Sequence, residues 1–344
     1  MLNARLAQLP YSTKTMKLGT LRNETRDGAL CVVSRNLKIG AIAYDIAPTV
    51  QAALDDWDYA APRLEELYEA LNRESALPGA FEIDFSRFQA PLPRAFQWID
   101  SPAYPSHAER TKKSNGIARR IKLAPEPQPC WSGSGGFVGA RDPIGVESEE
   151  WGIDPAGKIG VITGDVPLGV QYEKAGSYIR LVTLLNDVTL RTLAPTEVDP
   201  ASGFLQSKAL ASFAPVAVTE DELGESWDGR KLKLPLVLQI NDETLGRPNA
   251  GVDMTFNYPR LIAHAARTRP LGAGTIVTAG AVSNRDPSAG FACIAEKRAT
   301  HDRDQGGTET RFLRFGDRVR LEVFDHHGNS IFGAIDQTVV PQGH

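Results

Sequence analysis

Short apolar runs punctuated by turn formers open the chain. "ALCVVSR" and "KIGAIAY", preceded by "RDG" and separated by "NL", predict short strands between residues 17 and 47. The period then changes. Over residues 48–73 Leu54, Trp57, Leu64, Leu67 and Leu71 recur at helical steps, which predicts helix with Pro62 as its break. The proline-rich stretch "ALPGAFEIDFSRFQAPLPRAF" marks a boundary. Beyond it strand patterns dominate: "GKIGVITG", "YIRLVTLLNDVTL", "APVAVT", "KLPLVLQINDETL", "AGTIVTAGAV" and "DRVRLEVFDHHGNSIFGAIDQTVV". The last predicts a hairpin turning at "HHGN". One later helix stands out in "YPRLIAHAARTRPL". Long β segments with few helices predict an α+β protein, mostly β, built on packed or rolled sheets rather than a doubly wound one. The expected division is an extension over 1–16, a small N-terminal α/β domain over 17–93 and a large domain over 94–344.

Composition removes several function classes. A formal net charge of −4 over 344 residues leaves no basic tract for nucleic acid. No apolar run approaches the ~20 residues of a membrane span, and the N-terminus has no apolar signal core. The three cysteines, Cys31, Cys130 and Cys293, lack C-x-x-C spacing. They read as free thiols in a reducing cytoplasm rather than a disulfide framework or a zinc knuckle. "GSGG" at 133–136 lacks the strand before and helix after that a phosphate loop needs, and reads as a loop.

Candidate chemistry begins at "WIDSPAYPSHAER", residues 98–110, where Asp100 and His107 flank Tyr104. Pro102 and Pro105 are expected to hold this segment extended and out of regular helix. A general base needs such fixing because it must be held still. In "LLNDVTLR", Asp187 interrupts a strongly apolar run. It is either a paired or metal-bound carboxylate or the cap of a helix starting near Val188. Lys208, in "GFLQSKALASFAPVAV", is either a surface lysine or a cation aimed at an anionic substrate. Glu296, in "CIAEKR", either orients a histidine or is a solvated strand end. His264 reads as a packing residue of its helix, and His326, His327 and His344 as bystanders.

These segments, together with "GIDPAGKIGVITGDVP", "NDVTLR", "QSKALASFAP", "GRPNAGVDMTFNYPRLIAHAARTRPLGAGTI", "AGAVSN" and "FGDRVRLEVFD", stand in an order that resembles the fumarylacetoacetate hydrolase family. The resemblance runs from about residue 17 to the C-terminus, and only residues 108–135 look unlike the family's lid segment. It implies a fumarylacetoacetase-type β-sandwich roll, a homodimer, and a small-molecule diketo acid substrate whose carbon–carbon bond is hydrolysed. It also implies a divalent metal, Mg2+ or Ca2+. Carried over by residue, it makes His107 the base, Glu296 its partner and Lys208 the active-site lysine. Asp100 and Asp187 become metal ligands, and Tyr104 and Arg191 substrate contacts.

One departure bears on the chemistry. The family places two glutamates, E-x-E, where this chain has Ala156 and Lys158. Alternate positions of a strand share a face, so the pattern would bring both carboxylates to one ion. With one ligand position apolar and the other cationic, metal is expected to bind weakly or not at all. Also, the family often has a threonine where Ala281 stands. Three readings follow: a hydrolase of a diketo acid with altered metal use, an inactive homologue kept for binding or assembly, and a metal-free decarboxylase or tautomerase. In the last, Lys158 and Lys208 would stabilise an enolate.

Overall fold

A computed structural model describes residues 15–73, 77–114, 125–194, 206–302 and 310–342. Among them the protein is mostly β, with a large sheet, a five-stranded sheet and a two-stranded one. The large sheet has 11 strands. Its path runs Ala80–Glu82, Ile39–Ile42, Ala29–Val33, Lys17–Leu21, Val216–Val218, Ile179–Asn186, Gly157–Thr163, Ile276–Thr278, Trp98–Asp100 and Cys130–Ser132. Ser212–Phe213 pairs with Ile179–Asn186 off that path. The N-terminal strands therefore continue the same sheet, through the antiparallel pair Lys17–Leu21 and Val216–Val218. The helices Val50–Asp55 and Trp57–Arg73 cover one of its faces, packing Leu54, Leu64 and Leu71 with Trp98, Ile162, Leu185 and Phe213.

The opposite face meets the five-stranded sheet, whose order is Glu243–Gly246, Leu236–Ile240, Arg318–Val323, Ile335–Pro341 and Ile144–Val146. Ile159, Val161, Val182 and Leu184 pack there with Leu236, Leu238, Val319, Leu321 and Ile335. This is the sandwich expected from the alternating patterns. Gly157 lies close against that sheet: an added Cβ would lie 2.6 Å from Leu236 Cδ2 and 3.0 Å from Leu321 Cδ2. Alternation then fixes the next position: with Gly157 and Ile159 facing the second sheet, Lys158 points to the other side.

The local structure corrects three expectations. Pro62 lies inside the helix Trp57–Arg73, and the break falls at Asp56, whose φ/ψ of −130°/57° is not helical. The segment after Asp100 is not extended throughout: Pro105 begins a helix, Pro105–Ser114. A first-turn proline suits that place, because its missing N–H would have no intrahelical partner. No helix starts at Val188; Thr189–Leu190 is a short strand paired with Ile153–Asp154. The last hairpin does reverse at "HHGN", where Phe324 bridges Ser330 on either side of the turn. Arg318–Val323 and Ile335–Pro341 pair as expected, and residues 324–334 connect them, with a tip where Gly328 N–H donates to Asp325 O. A hairpin not singled out in the sequence joins Leu236–Ile240 to Glu243–Gly246. Its two turn residues, Asn241 and Asp242, both have positive φ, 51° and 65°, as a type I′ turn requires.

No described helix is long and apolar enough to cross a membrane. Cys31, Cys130 and Cys293 are all free, the first and last buried. "GSGG" lies in a loop, and a Cβ on Gly133, Gly135 or Gly136 would meet nothing within 4 Å. His264 sits half-buried on the helix Tyr258–Ala265, with Nδ1 3.8 Å from Glu126.

Candidate active site

Four neighbouring strands of the large sheet build one cluster of charge. In order they are Ile179–Asn186, Gly157–Thr163, Ile276–Thr278 and Trp98–Asp100. Lys158 stands opposite Leu185, two residues before Asp187, and Thr278 stands opposite both Gly160 and Asp100. Lys158 Nζ lies 2.7 Å from Asp100 Oδ2 and 2.6 Å from Asp187 Oδ2, with its side chain only 4 % exposed. It joins two carboxylates that are 87 positions apart in sequence. Lys208 Nζ donates to the same Asp187 Oδ2 at 2.7 Å and to Thr189 Oγ1 at 2.8 Å. Unlike Lys158, Lys208 keeps 23 % of its side chain exposed. The other oxygen of Asp100, Oδ1, accepts from Thr278 Oγ1 at 2.6 Å and from Gly280 N–H at 3.0 Å.

Burial disfavours every charge in this cluster, yet pairing outweighs it for three of the four groups. The Asp100 and Asp187 charges hold the Lys158 ammonium well above its ordinary pKa despite burial. Burial would raise the two carboxyls, but Lys158, joined at Asp187 by Lys208, holds both below the usual carboxylate range. Lys208 shifts the other way. Burial lowers its pKa and the Lys158 charge lowers it further, against the pull of Asp187.

A second cluster surrounds His107, on the first turn of the helix Pro105–Ser114. Its Nδ1 is 2.5 Å from Glu296 Oε1, and its side chain is 20 % exposed. Glu296 is fully buried on the short helix Ile294–Lys297, which rules out a solvated strand end. Its other oxygen accepts from Arg110 Nη1 at 3.0 Å and from Ser283 Oγ at 3.0 Å, and Ser283 in turn bonds Ser106. Burial works against the Glu296 charge, but the His107 hydrogen bond and the Arg110 charge keep its pKa below the ordinary value. An ionised carboxylate at Nδ1 selects the tautomer with the proton there and leaves Nε2 as the free base. Cys293 Sγ lies 3.9 Å from His107 Nδ1. His107, Cys293 and Glu296 could be taken for metal ligands, but Arg110 and Ser283 already use the carboxylate, and a cation beside Arg110 would be repelled.

The two clusters meet at small side chains. Cys293 packs with Ala156, Ala281 and Ala295, and Ala156 stands two residues before Lys158, at the entry to the strand Gly157–Thr163.

The remaining assignments fall differently. Tyr104 is buried, and its hydroxyl donates to the Ala250 carbonyl at 2.6 Å, so it is committed to the fold. Arg191 donates to Asp154 Oδ2 at 2.7 Å. That buried carboxylate also accepts from the Ile294 and Ala295 N–H groups, and so anchors the helix carrying Glu296. As placed, Tyr104 does not offer its hydroxyl to a substrate, while Arg191 has Nε committed to Asp154 and its side chain 17 % exposed. Arg110, Ser283, Thr278 and Thr189 were not singled out in the sequence. Only Arg110 carried a signal: on a helix it sits three residues after His107 and shares its face. Within 108–135, residues 115–124 lie outside the described residues. Cys130–Ser132 forms the strand beside Trp98–Asp100.

A divalent ion, as the resemblance implies, does not fit the residues present. Hard cations take six or more oxygens at 2.0–2.6 Å. Here an ammonium stands between the two aspartates, Asp100 Oδ1 is already bonded to Thr278 and Gly280, and Ala156 faces an apolar cluster. Two carboxylates are already balanced by two lysines. Each unit charge placed about 4 Å from an ammonium would cost about 4 kcal/mol at an effective dielectric of 20.

Family models match nearly the whole chain: "Fumarylacetoacetate (FAA) hydrolase C-terminal" over residues 98–340 and "Fumarylacetoacetase N-terminal domain 2" over residues 16–94. No curated protein matches significantly. Similar solved structures include maleylpyruvate hydrolase from Sphingobium sp. SYK-6 in complex with manganese(II) and pyruvate. It has 17 % identity and a TM-score of 0.62, covering 95 % of this chain and 100 % of that one. Fumarylacetoacetate hydrolase from Exiguobacterium antarcticum has 17 % identity and a TM-score of 0.61, covering 95 % and 99 %. 2-Hydroxyhepta-2,4-diene-1,7-dioate isomerase from Mycobacterium marinum has 14 % identity and a TM-score of 0.57, covering 96 % and 100 %. At these identities the likeness speaks for the fold.

Proposed function

Because the chain belongs to the fumarylacetoacetate hydrolase family, we propose that it is an enzyme that hydrolyses a carbon–carbon bond in a small diketo acid. The observation that carries this reading is the His107–Glu296 pair at 2.5 Å, with the carboxylate buried and the imidazole reaching the surface. That arrangement suits a general base fixed in one tautomer.

Glu296 holds the Nδ1 proton, and Nε2 takes a proton from water. The hydroxide adds to the acyl carbonyl of the substrate. The bond to the adjacent carbon then breaks, and its electron pair becomes the enolate of a 2-oxo acid. His107 returns its proton to that carbon, releasing a carboxylic acid and a 2-oxo acid. Lys208, the more exposed of the two lysines, offers positive charge to the anionic substrate and to the developing enolate.

The purified protein should cleave an acylpyruvate such as fumarylpyruvate or acetylpyruvate, followed by loss of enol absorbance and by NMR of the products. His107→Ala should lower the rate by ~10²–10⁴-fold. Hydrogen exchange or isomerisation of the substrate without cleavage would favour the tautomerase reading. No turnover above the uncatalysed rate would leave the inactive homologue.

A further inference from the structure

We infer that Lys158 is a tethered cation standing in for a divalent ion, which makes the site one that works without metal. The inference deepens the hydrolase reading and rests on it for the chemistry served. Its geometric basis is independent of that reading. Lys158 Nζ lies 2.7 and 2.6 Å from one oxygen of each aspartate, the two carboxylates that would otherwise face a shared ion. The ammonium also stands over the Trp98 ring, whose centre is 5.7 Å from Nζ. Trp98 N–H is itself fixed on Thr278 Oγ1 at 2.9 Å. The ammonium is therefore held by two carboxylates and a ring face.

A single positive charge cannot replace a double one alone. The second is Lys208, which shares Asp187 Oδ2 with Lys158. The pair divides the work by exposure. Lys158 is enclosed and organises Asp100 and Asp187, so it is a positioning residue, whereas Lys208 reaches toward solvent and can meet an anion. The neighbouring Ala156 fits the same design. A carboxylate there would face Ala281, Cys293 and Ala295 and would have no ion to bind.

Calorimetric titration with MnCl2 tests this on wild type and on Lys158→Ala, which opens the space between the two aspartates. Wild type should give no micromolar site and no rise in melting temperature with Mn2+. Lys158→Ala should bind Mn2+ at least tenfold more tightly and melt higher in its presence. If that variant does not fold, the wild-type titration decides alone, and Ala156→Glu with Lys158→Glu, refolded with Mn2+, supplies the second arm. Micromolar or tighter binding by wild type overturns the inference. So does a folded Lys158→Ala that binds no better than wild type. Because the readout is affinity and not turnover, failure to cleave any diketo acid would sink the hydrolase reading and leave this one standing.

Discussion

The two halves of the site solve the problem of buried charge in opposite ways. Around His107 a single buried carboxylate, Glu296, is shared among an imidazole, a guanidinium and a hydroxyl. Around Lys158 two carboxylates are shared between two ammoniums. In the first half the His–Glu pair implied by the family resemblance is present, and His107 Nε2, the proposed base, has no hydrogen bond among the described residues. In the second half the pattern is rewritten, and a protein side chain fills the space where an exchangeable ion would be held. The difference lies in what can leave. A metal can be stripped by a chelator; a lysine on the strand Gly157–Thr163 cannot. Burial alone does not decide a lysine's charge. Burial pushes the Lys17 pKa down to about 8 against one ion-pair partner among the described residues, Glu222 at 3.6 Å, whereas Lys158, between two carboxylates, is pushed up.

The largest expected effect comes from breaking the charge balance of the second half. Lys158→Met should cost about 3–5 kcal/mol of stability by chemical denaturation, because it leaves the buried Asp100 without its cation and Asp187 with Lys208 alone. Its pH dependence should separate it from wild type. In wild type Asp100 and Asp187 are depressed below the unfolded carboxylate value of 3.8, so the unfolded state binds more protons there. Their stabilisation is complete above that value and is lost as pH falls below it. In the variant Asp100 loses Lys158 and its pKa rises, so the folded state binds more protons and stability should increase as pH falls through that raised value. An unchanged acid profile would mean that Lys158 does not control the pair.

A comparable loss, but of rate, is expected in the first half. Glu296→Gln keeps the shape but ends the charge that sets the His107 tautomer and opposes Arg110. It should lower the rate by on the order of 10²-fold through kcat, with KM little changed. An equal loss through KM alone would assign Glu296 to substrate binding instead.

Smaller changes sharpen the comparison. Gly157→Ala should destabilise by about 1–3 kcal/mol, since its Cβ would press on Leu236 across the sandwich. Lys208→Met should cost only on the order of 1 kcal/mol of stability, as a partly exposed pair does, while raising KM for an anionic substrate. If Lys208→Met proves as destabilising as Lys158→Met, the division of work between the two lysines fails.

Much of this was legible in the chain, and the rest was hidden for physical reasons. Strand patterns and turn formers outlined the sandwich because its residues alternate between a packed face and another environment. Asp100, His107, Asp187, Lys208 and Glu296 could be singled out as chemical groups in apolar or proline-framed contexts. Their partners could not. That Lys158 would reach both aspartates depends on the order of four strands and on their registers, which no local window contains. The sequence did show that Lys158 replaces a glutamate, and so an unfavourable neighbour for a metal; it could not show the ammonium in the ion's place. The hydroxyl of Tyr104 was misread, and the anchoring role of Arg191 missed, for a related reason. A hydroxyl on a distant carbonyl, or a guanidinium on Asp154, is invisible until the chain is folded. Pro105 misled because the same residue that ends a helix also starts one.

One measurement bears most directly on the claim that this site carries its own cation: turnover of an acylpyruvate by wild-type protein stripped with a chelator and verified metal-free by elemental analysis. The rate should match that of untreated protein within about twofold, and added Mg2+ or Mn2+ should not raise it, since oxygen ligands for such an ion are lacking. Activity that disappears on stripping and returns with Mn2+ would contradict the account.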